Sequence, residues 1–117
     1  MSAYAVLGAV ERILSRGGDA DDVLRDVVES LQQEGGFDWA GISFLEEGTF
    51  VLGPASGEPT GEPVRIPISY DGNVVAELGV VAAELSPEDR ALLERVAELL
   101  APYCLVGWDT GGEVWQS

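Results

Sequence analysis

The chain has no lysine and no histidine, and its only basic side chains are six arginines. A nucleic-acid-binding surface needs clustered cations that neutralise phosphates, which six scattered arginines cannot provide. Binding to anionic lipids through a basic patch is excluded for the same reason. Without histidine there is no imidazole base, no Ser-His-Asp triad and no His-ligated zinc site. The composition therefore predicts no nucleic-acid partner, no membrane partner and no metal.

Cysteine is almost as scarce, since Cys104 is the single thiol and cannot form an internal disulfide. No apolar run is long enough to span a bilayer, and residues 1–4 do not resemble a secretory signal. We therefore expect a cytoplasmic location. The length of 117 residues fits one domain, which we assign to residues 1–104, followed by a tail of uncertain structure at residues 105–117.

Acidic residues dominate the charge, with 21 Asp and Glu and a net charge of −15. Because 46% of the residues are hydrophobic, the chain is expected to fold in spite of this charge. Residues 37–85 contain eight acids and one arginine, which makes an anionic ligand in this region unfavourable. The charge indicates a solvated surface; a salt-adapted proteome and a basic partner both remain open as explanations.

Apolar residues at helical spacing predict three helices. The first covers residues 3–16 and ends at a pair of glycines, and the second follows an N-cap at Asp19 and runs to about Gln33. The third begins at Ser86-Pro87, where a capping side chain precedes a proline at the first helical position, and continues towards Tyr103.

Alternating apolar and polar residues predict four strands between the second and third helices. They are Phe37–Leu45, Thr49–Leu52, Val64–Tyr70 and Asn73–Glu84, with a Gly/Pro-rich loop at residues 53–63. Two antiparallel hairpins with the fourth strand beside the first would account for this order, and Pro67 suggests that the third strand lies at an edge. The predicted fold class is α+β, with an antiparallel sheet of about four strands and the helices on one face.

Several short motifs in the sheet region resemble a GAF domain, and most nearly its free methionine-(R)-sulfoxide reductase branch. The resemblance spans roughly residues 37–100, and its order and spacing carry it more than any single motif. The motifs are Asp38-Trp39-Ala40-Gly41, Leu52-Gly53-Pro54-Ala55-Ser56-Gly57-Glu58-Pro59, Val64-Arg65-Ile66-Pro67-Ile68, Asp71-Gly72-Asn73-Val74-Val75, Leu78-Gly79-Val80-Val81 and Leu85-Ser86-Pro87-Glu88-Asp89.

The departures from that branch concern its chemistry. The resemblance implies a cysteine just after the Gly-Pro-x-x-Gly-x-Pro stretch, where this chain has Gly61. It also implies acids at the end of the final strand, where the first of them is replaced by Ala82. Glu84 alone retains a charge there, and Cys104 matches no catalytic position. Since sulfoxide reduction needs a thiolate, the resemblance implies a minimal GAF-like fold without catalytic residues and without a cofactor.

Four residues are candidates for binding a small ligand: Trp39, Ser43, Arg65 and Glu84. Trp39 and Ser43 alternate onto the strand face where GAF domains hold ligands, although Trp39 could instead fill that space itself. Arg65 could bind an anionic group or simply pair with a neighbouring acid at the surface. Glu84 could be a remnant of the family's acids or an ordinary solvated carboxylate.

The first and last helices suggest a protein partner, since one sheet face can hardly bury three apolar helices. We expect a homodimer through these two helices, while a monomer in which both stripes cover the sheet is the other interpretation. The most consistent function is a non-catalytic GAF-like signalling module that acts by dimerisation or protein interaction. The alternative is a small-molecule sensor with a working pocket near Trp39.

Overall fold

The computed structural model describes residues 3–105, and the side chains of residues 5–105. Its α-helices are α1 (Ala3–Arg16), α2 (Ala20–Glu34) and α3 (Pro87–Leu100), and a 3₁₀ helix follows at Ala101–Leu105. Its strands are β1 (Trp39–Glu46), β2 (Thr49–Gly57), β3 (Val64–Tyr70) and β4 (Asn73–Val81). The tail predicted at residues 105–117 therefore lies outside the described residues, except for Leu105.

The four strands form one antiparallel sheet in the order β2-β1-β4-β3. This confirms the predicted α+β class and the position of the fourth strand beside the first. Pro67 lies on β3, an outer strand, where its missing N–H removes no ladder bond from the centre of the sheet. Two tight hairpins, closed by turns at Glu47-Gly48 and Asp71-Gly72, lie at the same end of the sheet.

The helices lie on one side of the sheet: α2 and α3 pack on a face that we call the helix face, and α1 packs on α2 and α3. Cross-strand pairing places Ile42 of β1 opposite Leu78 of β4, and Leu78 in turn opposite Ile66 of β3. These side chains are fully or almost fully buried together with apolar residues of the helices. The hydrophobic core therefore lies between the helix face and the helical layer, and its burial is the main stabilising term of the fold.

The start of α3 follows the predicted capping pattern. The Ser86 hydroxyl accepts a hydrogen bond from the Asp89 backbone N–H at 3.0 Å, and the Asp89 carboxylate accepts one from the Ser86 N–H at 3.2 Å. This reciprocal capping box satisfies backbone donors that the helix itself leaves free. Asp19 occupies the N-cap position of α2, but its side chain makes no capping hydrogen bond.

The predicted loop at residues 53–63 is wrong in its first half, because β2 continues to Gly57. Ala55, Ser56 and Gly57 pair with β1, after a bulge that shifts the register. A bulge on an outer strand accommodates Pro54 without loss of a central ladder bond. Gly53 is required there, since a Cβ at this position would overlap the ring of Phe44. The connection to β3 is thus only residues 58–63.

Two further strand boundaries differ from the sequence prediction. β1 begins at Trp39, and Phe37 lies before the strand, buried in the core. β4 ends at Val81, so Glu84 does not lie at the end of a strand as expected. Alanines at 82 and 83 extend the apolar run without taking part in strand pairing, which explains the overextended prediction.

The apolar stripes of α1 and α3 are buried in part within the single chain. Val6 and Val10 of α1, and Leu93 and Val96 of α3, are at most 1% exposed. The other apolar residues of the α1 stripe are only half-buried, namely Leu7, Ile13 and Leu14. The homodimer through the first and last helices stays a prediction.

Candidate functional site

The face of the sheet turned away from the helices, here called the outer face, carries the candidate ligand residues. Alternation along β1 places Trp39, Gly41 and Ser43 on this face. The indole of Trp39 lies across Gly41 of its own strand and Gly79 of the neighbouring β4. The half-buried Trp39 therefore covers the part of the outer face where the backbones of β1 and β4 would otherwise be bare.

Both glycines are needed for this arrangement of the indole. A Cβ on Gly41 would lie 2.5 Å from Cη2 of Trp39, and one on Gly79 would lie 3.2 Å from Cζ3. Pro63, just before β3, is also near, with its Cβ 3.7 Å from the same Gly79 position. The glycines thus form a flat floor for the indole, and Pro63 lies near the same floor at Gly79.

Arg65 reaches the same face, because it pairs with Gly79 in the β3–β4 ladder. Its Nη1 lies 3.8 Å from Oε1 of Glu77, a residue that pairs with Ser43 across β1 and β4. The structure therefore brings Trp39, Ser43 and Arg65 to one face, as predicted. The charge of Arg65 is already balanced by Glu77, so this face presents no free cation for an anionic ligand.

Glu84 is not brought to this group of residues. It is exposed and lies beyond the end of β4, in the segment that leads to α3. Neither its position nor its exposure distinguishes it from the other solvated carboxylates of the chain.

The single thiol is on the opposite side of the sheet from Trp39. Cys104 lies in the 3₁₀ helix, is 1% exposed and is part of the core beneath the helices. Burial raises the pKa of this thiol from 9.0 to about 12. Because of this raised pKa, Cys104 is protonated at neutral pH, whereas only a thiolate acts as a nucleophile. Its burial also keeps a substrate from reaching the sulfur atom.

A polar groove of about 440 Å³ lies between α1 and α2 and was not foreseen from the sequence. Its cations are Arg12 and Arg16, and the Nη2 of Arg16 lies 2.8 Å from Oδ2 of Asp26. Three carboxylates line the groove against two guanidinium groups, so it has no net positive charge. The buried Ser30 hydroxyl on its wall has no hydrogen-bond partner among the described residues.

Within residues 3–105, no cluster of three or more histidine, cysteine or acidic side chains occurs that could hold a metal ion. None of the described helices is long and apolar enough to cross a membrane. The described outer face offers an aromatic surface, a hydroxyl and a neutralised ion pair. Such groups can bind a ligand by stacking and hydrogen bonding.

Solved structures with this architecture include GAF domains and free methionine-R-sulfoxide reductases. The GAF domain of a phosphoenolpyruvate-protein phosphotransferase from Coxiella burnetii matches with a TM-score of 0.75 at 15% identity, covering 97% of this chain and 100% of that one. The fold is that of a GAF domain. No protein-family model matches the sequence, and no curated protein matches it either.

Two reductases share the GAF fold with this chain. Free methionine-R-sulfoxide reductase from Neisseria meningitidis, solved with its substrate, has a TM-score of 0.73 at 16% identity, and 87% of each chain is covered. The type II enzyme from Thermoplasma acidophilum has a TM-score of 0.65 at 19% identity, covering 74% of this chain and 92% of that one. At these identities the likeness concerns the fold, and the chemistry has to be argued from this chain's own residues.

Proposed function

We propose that this chain is a non-catalytic, GAF-like regulatory module of the cytoplasm that acts by dimerisation or by binding another protein. The observation that supports the proposal is the burial of its only thiol, which keeps that thiol protonated. Cys104 is buried and its pKa is raised to about 12, so a thiolate is not available to attack a sulfoxide sulfur.

The location of the thiol supports the same conclusion. Cys104 belongs to the core beneath the helices, whereas Trp39, Ser43 and Arg65 lie on the outer face. The sheet separates the two, so a substrate resting on the outer face could not be attacked by Cys104 without unfolding of the core. The regulatory role rests on the fold that the chain shares with the GAF domain of the Coxiella burnetii phosphotransferase.

A reductase assay tests the absence of catalysis. Purified protein is incubated with free methionine-(R)-sulfoxide and dithiothreitol, and methionine is measured by mass spectrometry, with the Neisseria meningitidis enzyme as positive control. We expect no turnover above the protein-free background for the natural sequence or for Cys104→Ala. Turnover by the natural sequence that disappears in Cys104→Ala would overturn the proposal.

A small-molecule sensor is the second candidate function, and the glycine floor beneath Trp39 favours it. If the indole swung away, Gly41 and Gly79 would expose a flat surface flanked by Ser43 and Pro63. A planar ligand could then take the place of the indole. The ion pair between Arg65 and Glu77 would favour a neutral or zwitterionic molecule over an anion.

Fluorescence of Trp39 distinguishes the two candidates. In a Trp108→Phe, Trp115→Phe background Trp39 is the only tryptophan, so its emission reports on the outer face alone. A panel of amino acids and nucleobases is titrated while emission and melting temperature are recorded, with Trp39→Leu as the matched control for the melting temperature. A saturable change in emission with a higher melting temperature would favour the sensor, and no change in either would favour the interaction module.

A further inference from the structure

The largest exposed apolar side chains of the described residues are concentrated on the outer strand β2. Phe50, Val51 and Leu52 are consecutive and are 40%, 45% and 56% exposed. The other large exposed hydrophobics are Tyr70 and Val74, which flank the second hairpin turn at the same end of the sheet. Phe50 and Leu52 point to the outer face, whereas Val51 pairs with Phe44 and points to the opposite side of the sheet. Scattered exposed hydrophobic residues are normal, but here three adjacent ones expose apolar surface on both sides of one outer strand.

β2 is also the only one of the described strands and α-helices without a charged residue. Outer strands usually carry charged side chains or a proline that prevents them from pairing with other chains. Here Pro54 and its adjoining bulge protect the second half of β2, while residues 49–52 have no such protection. In a chain with a net charge of −15, residues 49–52 add no charge of their own to the repulsion between two copies.

The geometry of the β1–β2 hairpin determines which backbone N–H and C=O groups of β2 point away from β1. The turn residues Glu47 and Gly48 have φ angles of +52° and +82°, as in a two-residue turn that closes on a hydrogen-bonded pair, here Glu46 and Thr49. Hydrogen-bonded and non-hydrogen-bonded pairs alternate along an antiparallel ladder. The N–H and C=O groups of Phe50 and Leu52 therefore point away from β1, towards the outer edge.

The sequence of this segment is complementary to itself. When two copies of β2 run antiparallel about a two-fold axis at Val51, Phe50 of one copy lies opposite Leu52 of the other. Their outward N–H and C=O groups can then form reciprocal hydrogen bonds, and their side chains pair on the outer face. Val51 lies opposite Val51 of the second copy, with no charged residue at any of these positions.

We propose that a second copy of this chain pairs with the outer edge of β2, centred on Val51, and joins two sheets into one. The site lies on β2 and is separate from the first and last helices. Two copies each carrying −15 repel one another, and salt screens that repulsion while it leaves strand pairing intact. Added salt should therefore strengthen the dimer, whereas it would weaken binding to a basic partner.

This inference deepens the proposed regulatory function and rests on its dimerisation branch. The two can fail separately. If the chain does not dimerise through β2, the reductase assay still decides whether it is catalytic. If the chain reduces methionine sulfoxide, strand pairing at β2 is unaffected.

Two charged variants at the two-fold axis test the proposal on the full chain. Val51→Glu and Val51→Lys each place like charges directly opposite one another, which destabilises a strand pair. We expect sedimentation velocity to show that each variant alone dimerises at least about tenfold more weakly than the natural sequence. An equimolar mixture of the two variants should recover the affinity, since only the mixed dimer brings the introduced carboxylate opposite the introduced ammonium group.

Val74→Glu is the matched control, because Val74 has a similar exposure of 39% but lies on β4, away from the outer edge. It should dimerise as the natural sequence does, and more tightly as salt is added. A natural sequence that remains monomeric at millimolar concentration and high salt would overturn the proposal, even if residues 106–117 or another protein were found on β2. A dimer that is unchanged in both Val51 variants would also overturn it and would favour the helices.

Discussion

The two faces of the sheet are built from different residues although the same strands supply both. The helix face carries large aliphatic side chains such as Ile42, Ile68 and Leu78, all fully buried. The outer face carries Gly41 and Gly79 under the indole of Trp39, an ion pair between Arg65 and Glu77, and exposed apolar residues on β2.

This difference separates stability from interaction. The helix face and the helices above it bury the core and hold the fold, so its residues are constrained by packing. The outer face contributes less to the core, and its residues can therefore differ between proteins that share the GAF fold. Residues of the outer face can therefore be replaced without loss of the sheet and the helices.

The two faces should differ most in how much free energy of unfolding is lost when a leucine is replaced by alanine. Leu78→Ala on the helix face should lower the free energy of unfolding by about 2–5 kcal/mol, because it leaves a cavity in a closely packed core. Leu52→Ala, at a site that is 56% exposed, should cost less than about 1 kcal/mol. Urea denaturation at low protein concentration measures both, and similar costs would contradict the assignment of the core.

The next contrast concerns the glycine floor under Trp39. Gly41→Ala places a Cβ 2.5 Å from the indole, and we expect it to cost about 1–3 kcal/mol through displacement of the ring. The same substitution in a Trp39→Ala background should cost markedly less, since the clash is gone. A double-mutant cycle by urea denaturation checks this, and additive costs would show that the indole does not lie on Gly41.

The buried thiol of Cys104, on the helix side of the sheet, should make the free energy of unfolding depend on pH. Its folded-state pKa of about 12 exceeds the ordinary value of 9.0, so between these pH values the unfolded chain releases a proton that the folded chain retains. Stability should therefore fall as the pH rises from 9 towards 12, by up to about 1.4 kcal/mol per pH unit. In Cys104→Ala this part of the slope should be absent, and an identical slope in both proteins would contradict the burial of the thiol.

The smallest effect is expected at the ion pair of the outer face. Arg65 and Glu77 are 3.8 Å apart, and the arginine side chain is 54% exposed, so solvent screens their attraction. Arg65→Ala should change the free energy of unfolding by less than about 1 kcal/mol at physiological salt. A larger loss, measured by thermal and urea denaturation, would mean that Arg65 contributes packing that its exposure does not indicate.

Local signals in the sequence predicted the elements whose boundaries are set locally. Helix α1 ends at the glycine pair as expected, and Ser86 caps α3 with the predicted geometry. The second half of β2 was missed because Gly53 and Pro54 are typical of loops, while the decisive interaction is pairing with β1. The packing of α1 on α2 and α3 was also out of reach, since contacts between helices depend on the fold of the whole chain.

The candidate site was predicted in part. Period-two alternation placed Trp39 and Ser43 on the correct face, and Arg65 joined them once the strand order was known. The ion pair with Glu77 depends on the register between β3 and β4, which no local pattern reveals. The interaction edge of β2 had a signal that could have been used, namely nine residues without a charge in an acidic chain.

The burial of Cys104 can be tested directly by the reaction of the native protein with a small thiol reagent such as 5,5′-dithiobis(2-nitrobenzoate). Because Cys104 is the only cysteine, the absorbance of the thiolate that the reagent releases measures the reaction of this residue alone. We expect no reaction in the native state at neutral pH and complete reaction once the protein is unfolded in guanidinium chloride. Rapid, stoichiometric reaction of the native protein would show an accessible thiolate and contradict the claim that this GAF fold lacks catalytic chemistry.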